Sequence, residues 1–160
     1  MDGLFIGWAR SFNLPFARMA LFIVFFWFGI LKVFGLSPAN PLVASLLNRT
    51  MPFIGFAQFI VLFGLFEMAI GILCLIPGLV RISMLLLSIH MATTIMPLVL
   101  LPEVAWAQPF VPTLEGQYII KNLAIIAVAI SIVSRMAHPD DVSAAAAQSP
   151  KLDPVSGRPN

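Results

Sequence analysis

The sequence has little of what a soluble enzyme or a redox protein usually carries. Among 160 residues there is one cysteine, Cys74, and there are only two histidines and one tyrosine. A lone cysteine excludes an intramolecular disulfide and a Cys-x-x-Cys redox motif. That removes the thiol–disulfide enzymes of the four-helix membrane type, and Cys74 reads as a small apolar side chain inside a helix. His90, His138 and one cysteine give no ligand set at usable spacing, so no metal site is expected. Charge is equally scarce, at 10% of residues against about 25% in an ordinary soluble domain. This excludes a cytosolic globule, a disordered regulator and a nucleic-acid binder. The net charge of +2 reflects a handful of arginines rather than a basic surface. No glycine-rich phosphate loop follows a strand, and no nucleophile–base pair stands out.

What the chain has is apolar length. Hydrophobic residues make up 60% of it, and the mean hydropathy is +0.99. A spanning helix needs roughly 20 apolar residues, so the composition predicts an all-α integral membrane protein, a four-helix bundle with short loops. The spans fall at about Met19–Gly35, Ile54–Ile76, Ile82–Leu101 and Tyr118–Ser134. Residues 1–18, with Trp8, Phe12 and Phe16 beside Arg10 and Arg18, read as an interfacial approach to the bilayer. Residues 19–135 form the membrane domain. The first span follows Arg10 and Arg18 as a signal peptide would, but its apolar core is long and contains Lys32, which favours a retained span.

The connections carry their own signals. Asn40-Pro41 reads as the N-cap and first position of a short surface helix through Leu47. Segment 102–117, with Pro102, Pro109, Pro112, Trp106 and Phe110, reads as a wet loop with aromatic anchors. After Arg135 the chain turns polar and proline-rich, and residues 136–160 read as a disordered tail. With four spans, Arg10, Arg18, Arg81, Arg135, Lys151 and Arg158 lie on one side and only Arg49 on the other. Six against one predicts both termini in the cytoplasm. Asn48-Arg49-Thr50 is formally a glycosylation sequon, relevant only in a eukaryotic secretory pathway.

Four ionisable residues fall inside the spans: Lys32, Glu67, His90 and Lys121. Charges at this depth cost roughly 2.5–3.5 kcal/mol each on insertion scales, so something must offset them. Lys32 is 14 residues beyond Arg18, Glu67 is 14 before Arg81, and Lys121 is 14 before Arg135. If the arginines mark the inner boundary, all three lie roughly 21 Å from it, and His90 lies at roughly 13 Å. Glu67 is therefore expected to accept hydrogen bonds from Lys32 and Lys121, with Gly64 and Gly71 on its face admitting a neighbouring helix. A purely structural cluster is the alternative, in which both lysines snorkel to outer headgroups. Ser83, His90, Thr94 and Pro97 form a polar stripe on the third span, with Thr93 beside it. There His90 relays a proton, binds a quinone carbonyl, or is simply satisfied by a threonine or backbone partner. Phe25-Phe26-Trp27-Phe28 goes round the whole helix, which is packing rather than a cofactor box.

Taken in order, these residues resemble the DoxX-like family of small four-span membrane proteins. Gly29-x-x-Lys32 resembles that family's opening motif, and FGLFEMAIGILCLIPGLVRISMLLL over 63–87 its second-span signature. TLEGQYIIKNLAII over 113–126 resembles the last-span motif, centred on Lys121-Asn122. Segment 41–53 is similar to the YkgB branch, linked to reactive-chlorine resistance. The resemblance covers about residues 17–135. It implies a multi-pass protein of the inner (plasma) membrane that serves as a membrane subunit of a quinone-linked redox or oxidative-stress system. It carries over Lys32, Glu67 and Lys121 as polar positions without defining a catalytic role. The ligand-binding candidates are thus Lys32, Glu67, His90, Lys121 and Asn122, with quinone as the ligand and no intrinsic cofactor. Beyond the bilayer, redox partner proteins or a second copy of the chain are the expected partners. The alternative is a non-catalytic anchor or assembly component whose buried charges serve the fold.

Overall fold

A computed structural model describes the backbone of residues 2–134 and of Met136, and the side chains from residue 12 onward within that range. The tail expected over 136–160 lies, apart from Met136, outside the described residues, as do Arg135 and the side chains of the N-terminal segment through Ser11. Helix α1 runs Asp2–Val33, α2 Asn40–Thr50, α3 Phe56–Leu75 and α4 Val80–Ile95. The one-turn helices α5 (Pro97–Leu100) and α6 (Pro102–Ala105) follow, then strands β1 (Trp106–Gln108) and β2 (Val111–Pro112), and α7 at Leu114–Val133. Four segments are long and apolar enough to cross a membrane: Phe12–Val33, Phe56–Leu75, Pro77–Leu100 and Leu114–Val133. The chain is a multi-pass membrane protein whose spans end within two residues of those expected, while the first begins seven residues earlier, at Phe12, and the third five earlier, at Pro77. Large side chains such as Phe16, Leu62, Leu85, Val99 and Leu123 point outward, the arrangement that a lipid solvent favours.

The elements end where local chemistry stops them. Gly35, at φ +71°, closes α1. Its N–H bonds the Lys32 carbonyl, and the Leu36 N–H bonds that of Leu31, the paired arrangement of a glycine C-terminus. Lys32 is thereby held in the last turn, where a cation suits the helix dipole. Pro77 terminates α3, and a 3₁₀ turn at Pro77–Leu79 reverses the chain into α4. Helix α2 starts one residue earlier than expected. Ala39 occupies the cap without a side-chain bond, because Asn40 turns its Nδ2 to the Gly35 carbonyl instead. The segment expected as an irregular loop contains a two-stranded hairpin, Trp106 paired with Pro112 and Gln108 with Val111. Trp106 is anchored through its Nε1–H to the Leu98 carbonyl at 2.9 Å.

Helix α1 packs along α3, α3 on α4, α4 on α7, and α7 returns to α1. The α1–α3 contact is antiparallel and close. A Cβ added at Gly64 would sit 2.6 Å from the Gly29 carbonyl oxygen, and one at Gly29 would sit 2.5 Å from that of Gly64. Gly71 lies 3.1 Å, on the same measure, from the Phe22 carbonyl. Small residues on one face thus let two backbones touch, as Gly64 and Gly71 were expected to do. At the other end Arg18 fastens the pair, its Nε donating to the Cys74 carbonyl at 2.6 Å and Nη2 to that of Leu75 at 2.7 Å. Those carbonyls belong to the last turn of α3, which has no intrahelical partners for them. Leu21, Phe25, Ile70, Cys74, Met84 and Leu87 form the apolar core between the arginine and the level of Glu67.

Gly64→Leu is expected to destabilise the protein by about 1–3 kcal/mol through overpacking. Gly78→Ala, where nothing lies within 4 Å of an added Cβ, is expected to be close to neutral. Thermal unfolding in mild detergent reads both, and equal midpoints would show that α1 and α3 do not meet at Gly64.

Candidate functional site: a buried lysine–glutamate–histidine cluster

Three ionisable side chains from three spans meet inside the protein. Lys32 of α1 donates from Nζ to Glu67 Oε2 of α3 at 2.6 Å, and His90 Nε2 of α4 lies 3.3 Å from Glu67 Oε1. Each residue is 5% exposed or less. The close contact at Gly29 and Gly64 makes this possible, since both glycines lie three residues before the charged residue on their own helix and so share its face. One carboxylate thereby faces one ammonium and one imidazole, with a group on each of its oxygens. A buried ion pair survives only where its geometry and additional hydrogen bonds repay desolvation.

Aromatic rings enclose the histidine. Phe25 meets its ring edge-on at 5.3 Å, Phe63 lies at 5.2 Å with 31° between the planes, and Phe66 at 6.1 Å. Lys32 Nζ stands 5.7 Å from the Phe63 centroid. Phe63 in turn stacks on Phe59 at 5.5 Å. His90 Nδ1 is buried and has no hydrogen-bond partner among the described residues. This departs from the usual satisfaction of buried polar atoms.

The hydroxyl side chains of α4 are satisfied by backbone. Thr93 and Thr94 both donate to the His90 carbonyl, at 2.7 and 2.9 Å. The stripe therefore bonds the backbone of His90 rather than its ring. Ser83 donates to the Ile70 carbonyl at 2.9 Å and lies 3.0 Å from Cys74 Sγ, so Cys74 is a packed core residue, as expected. An apolar groove of about 380 Å³ between α4 and α7 is lined by Met84, Leu87, Met91 and Ile126 among others. No cluster side chain lines it.

Lys121 does not join Glu67. It is exposed, with Nζ 5.1 Å over the Tyr118 ring, and its neighbour Asn122 is half-buried. Ile119 marks the buried face of α7, and two residues further on the helix has turned about 200°. Helical phase could therefore have separated Lys121 from the cluster, where depth alone could not. His90 instead takes the place expected for Lys121. The arginine scale put it some 8 Å from the level of Glu67, yet the two side chains touch. Glu67 is 11 residues before Gly78 and His90 is 12 after it, so a hairpin centred on that turn brings them level. The role of Arg18 at the end of α3 was also missed, although the bare carbonyls of a helix stopped by Pro77 call for such a donor.

Among the described residues no group of His, Cys, Asp and Glu could hold a metal ion. Comparison of the chain with protein-family models, with curated proteins and with solved structures finds no match in any of the three.

Glu67→Ala leaves Lys32 buried without its counter-charge and is expected to cost about 3–5 kcal/mol. Lys121→Ala, at an exposed site, is expected to stay within about 0.5 kcal/mol. Unfolding midpoints of the two variants in one detergent check the contrast, and similar losses would return Lys121 to the cluster.

Proposed function

We propose that this chain is an integral inner-membrane protein of the DoxX type, a membrane subunit of a quinone-linked redox or oxidative-stress system, with Lys32, Glu67 and His90 as its polar intramembrane site. The observation that carries the reading is the convergence of an ammonium, a carboxylate and an imidazole from three spans in a buried position. Ionisable residues inside membrane spans mark ligand or proton sites by default. The motif resemblance around Lys32, Glu67 and Lys121 supports the family, and the excess of basic residues on one side supports cytoplasmic termini. The rings of Phe25, Phe63 and Phe66 around the cluster fit a planar aromatic head. Lys32 supplies a donor, and Glu67 with His90 holds and moves a proton at the carboxylate and the ring nitrogens. A bound quinone would supply the redox chemistry. Lys121, exposed on α7, lies outside this site and is free to reach the outer headgroups.

A second reading has its own observation. The Lys32–Glu67 bond sits against the Gly29–Gly64 contact and locks α1 to α3, which suits an anchor or assembly component whose charges serve the fold. The double substitution Lys32→Met with Glu67→Leu separates the two, because apolar replacement of a buried ion pair is often neutral in stability. Mass spectrometry of wild type and variant purified in mild detergent is expected to find stoichiometric quinone with wild type alone and unfolding midpoints that agree. Quinone absent from wild type, with partner proteins retained by both, would overturn the redox reading in favour of the anchor.

A further inference from the structure

The proton arrangement on His90 restricts what the cluster accepts. Nε2 faces a carboxylate oxygen at 3.3 Å, so in the neutral ring the proton belongs on Nε2 and Nδ1 presents a lone pair. Lys32 already holds the other carboxylate oxygen at 2.6 Å. The one polar position in the cluster without a partner is therefore an acceptor. Its complement is a group that donates.

The surroundings set the rest of the ligand. Phe25 is buried, whereas Phe63 and Phe66 are half-buried, and of these two Phe63 lies nearer the imidazole and under the Lys32 ammonium. Its ring lies 31° from the plane of His90, beneath the Lys32 ammonium and against Phe59. An aromatic ring in its place keeps those contacts, since a ring face attracts the ammonium and packs on the neighbouring ring. Phe63 is half-buried, and a phenylalanine ring has no side-chain hydrogen bond to break when it moves.

We propose that the cluster binds a membrane-soluble aromatic alcohol, a phenol or the hydroxyl form of a quinone, which replaces the Phe63 ring and donates its O–H to His90 Nδ1. This rests on the reading of the cluster as a ligand site, and it assigns to that site the hydroxyl rather than the carbonyl form. A carbonyl oxygen can accept from Lys32 but cannot satisfy Nδ1. Phe63 is the residue that gates entry, and His90 is the residue that selects.

The test is equilibrium binding to the full chain in mild detergent, with 4-decylphenol and 2-decyl-1,4-benzoquinone as probes. The phenol is expected to bind at least tenfold more tightly than the quinone, and His90→Leu to remove that preference. Phe63→Ala, which leaves the three ionisable groups in place, is expected to tighten phenol binding several-fold, and Phe63→Trp to weaken it. The Phe63 pair decides the matter if His90→Leu does not fold. Quinone binding as tight as phenol binding, or Phe63 variants without effect, overturns the inference. Phenol binding without quinone binding upholds it and confines the quinone-linked reading to the hydroxyl form. Quinone binding without phenol binding overturns it and leaves the quinone-linked reading standing, and absence of both removes the two together.

Discussion

A carboxylate in hydrocarbon is the constraint on which this structure depends. Glu67 cannot remain ionised there without a counter-charge, and the nearest one is on another helix. Lys32 reaches it across 2.6 Å only because Gly29 and Gly64 remove the side chains that would hold α1 and α3 apart. The lysine stem also packs on the glycine gap, its Cβ 3.0 Å from where a Cβ of Gly64 would stand. Apolar attraction does not drive helix association in lipid. Close packing and the charge pair therefore act together, and each needs the geometry that the other provides. Arg18 repeats the principle at the far end of the same helix pair, where a guanidinium meets bare carbonyls rather than a carboxylate.

Set against that pair, the remaining polar groups fall into two kinds. Ser83, Ser88, Thr93 and Thr94 all donate to backbone carbonyls. They meet the bilayer's demand for internal satisfaction and retain no hydroxyl proton to offer. His90 differs. Its carbonyl accepts from two threonines, which holds α4 locally, and Nε2 is directed at Glu67, which holds the ring. The ring is fixed, yet one nitrogen has no partner. A phenylalanine in the same space would leave Glu67 Oε1 without its neighbour, so the imidazole serves the carboxylate on one side and carries an unused acceptor on the other.

Much of the fold was legible in the sequence, and the reasons are specific. Four apolar runs bounded by Gly35, Pro77 and Pro102 located the spans because hydrocarbon thickness imposes their length. Gly64 and Gly71 announced a close helix contact because they share the face of Glu67. The pairing of Lys32 with Glu67 was also visible as a match of depth. What failed was the choice of second partner. Counting from arginines fixes height but not direction around a helix, so Lys121 looked equivalent to Lys32 while its side chain lay on the outer face of α7. His90 was displaced by a ruler that ran through the Pro77–Leu79 turn. The hairpin between β1 and β2 left no period-two pattern in so few residues, and its Phe110, at φ +64°, is not a residue from which a left-handed turn is read.

The structural and the functional readings of the cluster are joined by charge. With Lys32 cationic, Glu67 anionic and His90 neutral, the three residues sum to zero, which is the cheapest state for an ionised cluster in a low-dielectric interior. In the proposed complex the total over the cluster and its ligand also stays at zero if Nδ1 takes a proton from a bound hydroxyl while Nε2 passes its own to Glu67, because the ligand's oxyanion then balances the +1 of the three residues. The carboxylate becomes neutral, the imidazole stays neutral, and the Lys32 ammonium faces the oxygen that has lost its proton. No net charge is created in the membrane at any stage. A lysine–glutamate pair without the histidine could fasten two helices equally well, but it would have no nitrogen through which to hand the proton on. On the proposed reading, the imidazole, with Nε2 on the carboxylate and Nδ1 unpartnered, is what would add proton transfer to a pair that already fastens two helices.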